Sequence, residues 1–145
     1  MSSKHEWPSA KITPVKLLAL AREASSNAYV PYSHFRVGSA MLLSSGGVIQ
    51  SCNVENASYG LTICAERSGI ASMVSQGERS PVALAVVGSH EDSDDYMSVP
   101  CPPCGACLQV LAEFSPDMLI VLASGNMPEI YSLRELLPVT FTLRP

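Results

Sequence analysis

The sequence predicts an α/β protein in which a mixed five-stranded sheet lies between two layers of helices. Three observations support this class: an early helical pattern, then two apolar runs joined by a glycine-containing turn, then strand-like runs that alternate with helical segments. Helices placed between strands cover both faces of a sheet, which gives a three-layer α/β/α domain. A chain of 145 residues fits one domain that buries roughly 68–70% of its unfolded surface.

The N-terminal segment, residues 1–12, mixes Ser, Lys, His, Glu, Trp and Pro without a period. This composition predicts a flexible arm, so the single domain is expected to occupy residues 13–145. The first helix of that domain is predicted to begin after Thr13, a favourable N-cap residue, with Pro14 at the first helical position.

The sheet begins with two apolar runs at residues 37–43 and 48–52, which are joined by a Ser-Ser-Gly-Gly tetrapeptide typical of a β-hairpin. Residues 82–88 are apolar at nearly every position, which predicts a strand buried on both faces. The remaining predicted elements are a helix from 64 to about 76, a helix from 104 to about 114, strands at 118–123 and 129–131, and a final helix at 132–137.

Composition excludes several classes of protein. Charged residues make up 15% and apolar residues 47% of the chain, which excludes a disordered chain and favours an oligomer that hides some surface. The net charge of -4 and the lack of a Lys/Arg cluster argue against a nucleic-acid partner. The apolar stretch at 17–21 is too short for a membrane span. Five cysteines, three of them within 101–107, indicate thiolate ligation in a reducing, cytoplasmic compartment.

Cys64, Cys104 and Cys107 are candidate ligands of a zinc ion, and Glu66 follows the first of them by two positions. Three protein ligands leave the fourth tetrahedral position open for water, which is typical of catalytic zinc. The Glu66 carboxylate can then reach that water and move protons. Cys64 and Cys104 both fall at predicted helix N-termini, which favour thiolate. Because three thiolates exceed the charge of Zn²⁺, Arg67 is the candidate for charge compensation.

Taken singly, these residues have simpler explanations. A lone CxxC pair is as often redox-active or structural as catalytic, an isolated Cys64 would be a core residue, and an isolated Glu66 would stabilise a helix N-terminus. A structural zinc module or a CxxC redox protein is therefore the rival class. Together, C-x-E and P-C-x-x-C match the zinc-deaminase signature with Cys in place of His. Cys101 lies between prolines and is predicted not to be a ligand.

With these motifs the chain resembles the small, single-domain cytidine deaminases of the cytidine/deoxycytidylate deaminase family. The resemblance extends over residues 15–141 and includes five motifs, at 32–38, 52–60, 64–67, 103–107 and 135–138. It implies a cytidine-deaminase-like fold and one Zn²⁺ per subunit, held by the three cysteines. It also implies hydrolytic deamination of cytidine and deoxycytidine to uridine and deoxyuridine with release of ammonia, a reaction of pyrimidine salvage, in which Glu66 shuttles protons.

The resemblance also implies a set of substrate contacts. Phe35 would stack on the pyrimidine, and the Ala65 N–H with Glu66 would read the polar edge of the base. Asn53 and Glu55 would hold the ribose hydroxyls, since an amide and a carboxylate suit a sugar diol. By themselves these pocket residues are ordinary, because Phe at a strand start is usually core and Asn usually forms turns.

Small members of the family are homotetramers whose sites are completed by neighbouring subunits, so Tyr59 and Phe141 are expected to contribute across an interface. The chain departs from the family pattern at Leu108, where Arg is common, and in an apparent insertion at 99–102. Leu108 would remove one charge that compensates the thiolates. Both departures leave open a related substrate, such as a modified cytidine or blasticidin S.

Overall fold

A mixed five-stranded sheet forms the central layer of the protein, in a computed structural model that describes residues 4–143. The predicted α/β/α fold is confirmed. In chain order the strands are β1 (Phe35–Leu43), β2 (Val48–Cys52), β3 (Pro81–His90), β4 (Leu119–Ser124) and β5 (Met127–Ser132). Their spatial order is β2-β1-β3-β4-β5, in which only β3 and β4 run parallel.

The predicted hairpin joins β1 to β2. Gly46 adopts a φ of 94°, a conformation that favours glycine, and its amide donates to the carbonyl of Leu43 at 2.9 Å. β1 begins at Phe35, two residues before the predicted start, because Phe35 already pairs with His90 on the long central strand β3.

The helices are α1 (Pro14–Ser25), α2 (Ala65–Ser75), α3 (Gly105–Phe114) and α4 (Leu133–Leu136), with a 3₁₀ turn at Tyr59–Leu61. Thr13 caps α1 as predicted, since its hydroxyl accepts from the Lys16 amide at 3.1 Å. Helices α2 and α3 begin one residue later than predicted, because Cys64 and Cys104 are extended N-cap residues. Helix α4 is a single turn and ends before Pro138.

Two apolar cores lie on opposite faces of the sheet. Helix α1 packs on one face through Leu17, Leu18 and Ala21, while α2, α3 and α4 pack on the other. Strands β3 and β4 supply side chains to both cores, which confirms the prediction that β3 is buried on both faces. Each buried large apolar side chain stabilises the fold by roughly 1.5–3 kcal/mol, and the two cores fix the helix starts at one end of the sheet.

The N-terminal segment contacts the rest of the chain in the part that the structure describes. The Trp7 side chain packs against the core that α1 covers, and a His5 ring nitrogen lies 2.8 Å from the Glu135 carboxylate. The division into an arm at 1–12 and a domain at 13–145 stays a prediction, with residues 1–3 and 144–145 outside the described range. Within residues 4–143, no helix combines the length and apolar character that crossing a membrane requires.

Candidate metal centre and active site

The N-termini of α2 and α3 bring three cysteine sulfurs together. Cys64 caps α2, Cys104 caps α3, and Cys107 lies in the first turns of α3. Their Sγ atoms all lie within 4.8 Å of one another, and among the described residues no other His, Cys, Asp or Glu joins this group. Tetrahedral Zn–S bonds of about 2.3 Å place sulfur atoms about 3.8 Å apart. The Cys104 Sγ to Cys107 Sγ distance of 3.5 Å fits that geometry.

The charge environment of the cysteines favours a cation among them. Hydrogen bonding from the Cys107 amide lowers the pKa of Cys104, as expected at a helix N-terminus. Burial raises the pKa of Cys107, whose side chain is inaccessible. A buried thiolate is costly unless a positive charge compensates it. The cluster is therefore suited to a metal ion that stabilises the thiolate form.

Arg67 lies beside the first cysteine, where the sequence predicted charge compensation. One of its terminal nitrogens donates to the Thr62 carbonyl at 3.1 Å and lies 4.0 Å from Cys64 Sγ. Hydrogen bonding with Cys64 raises the pKa of Arg67 further, so the guanidinium stays charged. The arrangement is suited to balancing thiolate charge, and this role stays a prediction.

Glu66 is a buried acid at the start of α2, with 4% of its surface exposed. It lines a cavity of about 180 Å³ whose walls also include Val37, Asn53, Thr62, Ala65 and Cys101, together with Cys64 and Cys104. Burial raises the pKa of Glu66, although its own amide, Cys107 and Arg67 act in the opposite direction. A buried carboxyl with a raised pKa beside three cysteines is suited to take up and release protons.

A second cavity of about 370 Å³ adjoins the first and is lined by Tyr32, Ser33, Glu55, Tyr59 and Thr62. Thr62 lines both cavities, so they meet at this residue. The predicted base-edge residues and the predicted sugar carboxylate thus occupy neighbouring compartments. Sequence reasoning missed Thr62, whose only available signal was its position two residues before Cys64.

Asn53 and Glu55 both organise the backbone next to these cavities. The Asn53 amide oxygen accepts from the Val37 amide at 2.9 Å, and its nitrogen donates to the Phe35 carbonyl at 3.1 Å. One Glu55 carboxylate oxygen accepts from the amides of Tyr32 and Ser33, each at 3.0 Å. Hydrogen bonding, first from the Ser33 side chain, lowers the pKa of Glu55. Both side chains keep further hydrogen-bonding capacity for a ligand.

Phe35 and Cys101 both lie against Gly88, and Cys101 also lines the smaller cavity. A Cβ atom at Gly88 would lie 2.7 Å from the Phe35 ring and 2.7 Å from Cys101 Sγ, so both side chains close over this glycine. Cys101 lies outside the three-cysteine cluster, and its assignment as a residue that does not bind the metal stays a prediction. It is nevertheless a cavity wall, which sequence reasoning missed, and burial raises the pKa of this thiol to about 11.

The two residues expected to act across an interface lie apart in the single chain. Tyr59 is 76% exposed. Its ring meets the Tyr32 ring edge-on in the second cavity, with the two ring centroids 5.9 Å apart. Phe141 lies elsewhere: its carbonyl accepts from Gln109 on α3 at 2.9 Å, and the structure does not bring it to the three-cysteine cluster.

Leu108 is 7% exposed and packs in the core beneath α3. Its side chain thus contributes to packing.

A three-layer α/β/α domain in which a three-cysteine cluster adjoins a cavity with a buried acid is typical of the class of zinc-dependent deaminases. Residues 12–123 match the family model described as the cytidine and deoxycytidylate deaminase zinc-binding region. The chain belongs to this family of hydrolytic deaminases.

Named relatives agree with this assignment. A cytidine deaminase from Halalkalibacterium halodurans is 47% identical over 129 residues, which cover 87% of this chain and 92% of the relative. The crystal structure of cytidine deaminase from Burkholderia pseudomallei superposes with a TM-score of 0.79 and is 41% identical, covering 89% and 99% of the two chains. A blasticidin-S deaminase from Bacillus cereus is more distant, at 26% identity over 129 residues that cover 88% of this chain and 91% of the relative.

Proposed function

We propose that this protein deaminates cytidine and deoxycytidine to uridine and deoxyuridine, releasing ammonia, as a cytoplasmic enzyme of pyrimidine salvage. The observation that carries the proposal is the buried Glu66 carboxyl in the same cavity as two members of the three-cysteine cluster. The 47% identical relative named cytidine deaminase supports the choice of substrate.

The proposed mechanism assigns the metal to Cys64, Cys104 and Cys107, one Zn²⁺ per subunit. Bound there, zinc would lower the pKa of a water molecule and supply the nucleophile at neutral pH. Glu66 accepts the proton of that water and delivers it to N3 of the pyrimidine, which makes C4 electrophilic. The oxygen of that water forms a bond to C4. Glu66 then carries the remaining proton of that oxygen to the exocyclic amine, the C4–N bond breaks, and ammonia departs to leave a carbonyl at C4. Burial of Glu66 suits this shuttle because it raises the pKa towards the working pH.

The two cavities suggest how the nucleoside is divided. The base occupies the smaller cavity, where Ala65 N–H and Glu66 meet its polar edge and Phe35 stacks at the margin. The sugar lies towards the larger cavity, where Glu55 accepts from a ribose hydroxyl. Asn53 lies on the wall of the smaller cavity and binds the sugar from that side.

We further propose a homotetramer in which Tyr59 and Phe141 complete sites of neighbouring subunits. Apolar side chains are exposed on the segment that carries the larger cavity, including Tyr59 at 76%, Leu61 at 66% and Ile63 at 44%. Contiguous exposed apolar surface of this kind marks interaction sites. Sedimentation velocity tests the assembly, and a monomer at micromolar concentration would contradict it.

The activity is tested by measuring ammonia release from cytidine and deoxycytidine before chelation, after chelation and after zinc is restored. We expect release that chelation abolishes and zinc recovers. Cys104→Ser should lose both zinc and activity, whereas the matched Cys101→Ser variant should retain zinc because Cys101 lies outside the cluster. Failure of the zinc-loaded protein to act on either nucleoside would overturn the proposal, and activity on blasticidin S alone would redirect it to that substrate.

A further inference from the structure

Two serine hydroxyls lie beneath the first turn of α2, on the sheet face that also carries the buried Met41 and Ile49. Ser39 on β1 and Ser51 on β2 are paired across the two strands, and their Oγ atoms are 2.6 Å apart. Ser39 is fully buried. Buried polar groups are retained at low cost only when they are hydrogen-bonded. The groups that accept hydrogen bonds from these hydroxyls therefore indicate what the pair does.

Both hydroxyls reach the same acceptor, the carbonyl oxygen of Ala65. The distance is 2.8 Å from Ser51 Oγ and 3.3 Å from Ser39 Oγ. A hydroxyl has one hydrogen to donate, so the shortest bonds give a chain in which Ser39 donates to Ser51 and Ser51 donates to Ala65. In such a chain each bond polarises the next.

The Ala65 carbonyl and the Glu66 amide form one planar peptide group. A hydrogen bond that fixes the carbonyl therefore fixes the amide at the other end of that plane and the backbone from which the Glu66 side chain leaves. We propose that Ser39 and Ser51 are positioning residues for the Glu66 carboxyl. This inference rests on the proposed role of Glu66 as the proton shuttle. The two serines would support the position of Glu66 through the Ala65–Glu66 peptide group and not by contact with the substrate.

Gly69 provides the space for this contact. A Cβ atom at position 69 would lie 2.7 Å from Ser51 Oγ but 3.6 Å from Ser51 Cβ. A glycine inside a helix is less favourable than alanine, and here it lets the helix approach the hydroxyl. Alanine at 69 would therefore force the Ser51 hydroxyl out of its position, whereas it leaves room for alanine at 51.

The first test compares Ser51→Ala and Ser39→Ala with Ser25→Ala. Ser25 is a matched control, because its buried hydroxyl also donates to a backbone carbonyl, that of Arg22, on the opposite face of the sheet. We expect kcat of Ser51→Ala to fall about tenfold, the change that corresponds to ~1.36 kcal/mol of activation free energy, with KM and zinc content unchanged. Ser25→Ala should keep the wild-type kcat even if its melting temperature falls as far as that of Ser51→Ala.

The second test uses the clash at Gly69. Gly69→Ala should lower kcat in the wild type and cause no further loss in the Ser51→Ala background, since the clashing atom is then gone. Additive losses, or wild-type kcat in Ser51→Ala, would overturn the inference.

A readout independent of activity is the amide proton chemical shift of Glu66 in the zinc-free protein. We expect it to move in Ser51→Ala and to stay in place in Ser25→Ala. An unchanged chemical shift of the Glu66 amide proton in Ser51→Ala would refute the positioning role, whatever the substrate. An inactive zinc-loaded wild type would instead refute the proposed function, so the two failures are distinguished.

Discussion

Replacing Asn53 with alanine should weaken the fold as well as substrate binding. The side chain is 9% exposed and bridges two backbone groups of β1, the Val37 amide at 2.9 Å and the Phe35 carbonyl at 3.1 Å. The substitution leaves the Val37 amide without its acceptor and leaves the Phe35 carbonyl with only a long bond from the Ser33 hydroxyl, at 3.5 Å. An unsatisfied buried group costs about 1–3 kcal/mol. Phe35 itself is 40% exposed, so water can reach its side of the strand. We therefore expect a loss of about 2–3 kcal/mol in the free energy of unfolding.

Urea denaturation of the wild type and Asn53→Ala measures this loss. Asn56→Ala is the matched control, because Asn56 is exposed and its side chain accepts only a local bond from the Ser58 amide. We expect the control to lose less than about 1 kcal/mol. Nucleoside KM should rise in Asn53→Ala and stay unchanged in the control. Equal stability losses in the two variants would refute the bridging role of Asn53.

Three further predictions concern other positions. Gly88→Ala should raise the nucleoside KM, because the new methyl displaces the Phe35 ring or Cys101 from the cavity edge; steady-state kinetics on cytidine checks this. Gly38→Ala should lower the free energy of unfolding by about 1–3 kcal/mol, measured in urea, because its Cβ would lie 2.0 Å from a carbonyl oxygen of α1. Contacts led by Lys4 hold the pKa of Glu135 at about 2. The stabilisation from these contacts is therefore fully present above the ordinary pKa of a glutamate and is lost as the pH falls from there towards about 2. Glu135→Gln should therefore lower the melting temperature at about pH 6 and have a smaller effect at about pH 3.

The metal cluster was predictable because its signals are local. Cys64 and Cys104 each stand at a helix start, and a CxxC spacing on a helix brings Cys107 to the same end. The alternation of strands and helices then places both helix starts at one edge of the sheet. The strand and helix order followed from the same short-range patterns, with shifts of one or two residues at the ends.

The cavity walls were harder to predict because they depend on contacts between distant segments. Thr62 and Cys101 meet in one cavity although 39 positions separate them in the printed sequence. The Ser39–Ser51 pair depends on the register between β1 and β2, and a shift of one strand by one residue would turn its serine to the other face. Phe141 is predicted to act in a neighbouring subunit, and the single chain does not test that contribution.

The central claim is that Glu66 shuttles protons beside a zinc ion held by Cys64, Cys104 and Cys107. The most direct test is Glu66→Gln, which keeps the size of the side chain, with zinc content and the rate of ammonia release from cytidine measured on the same sample. The account predicts unchanged zinc and a kcat reduced by about 10²–10⁴. A zinc-loaded Glu66→Gln protein that retains a kcat within about tenfold of the wild type would contradict it.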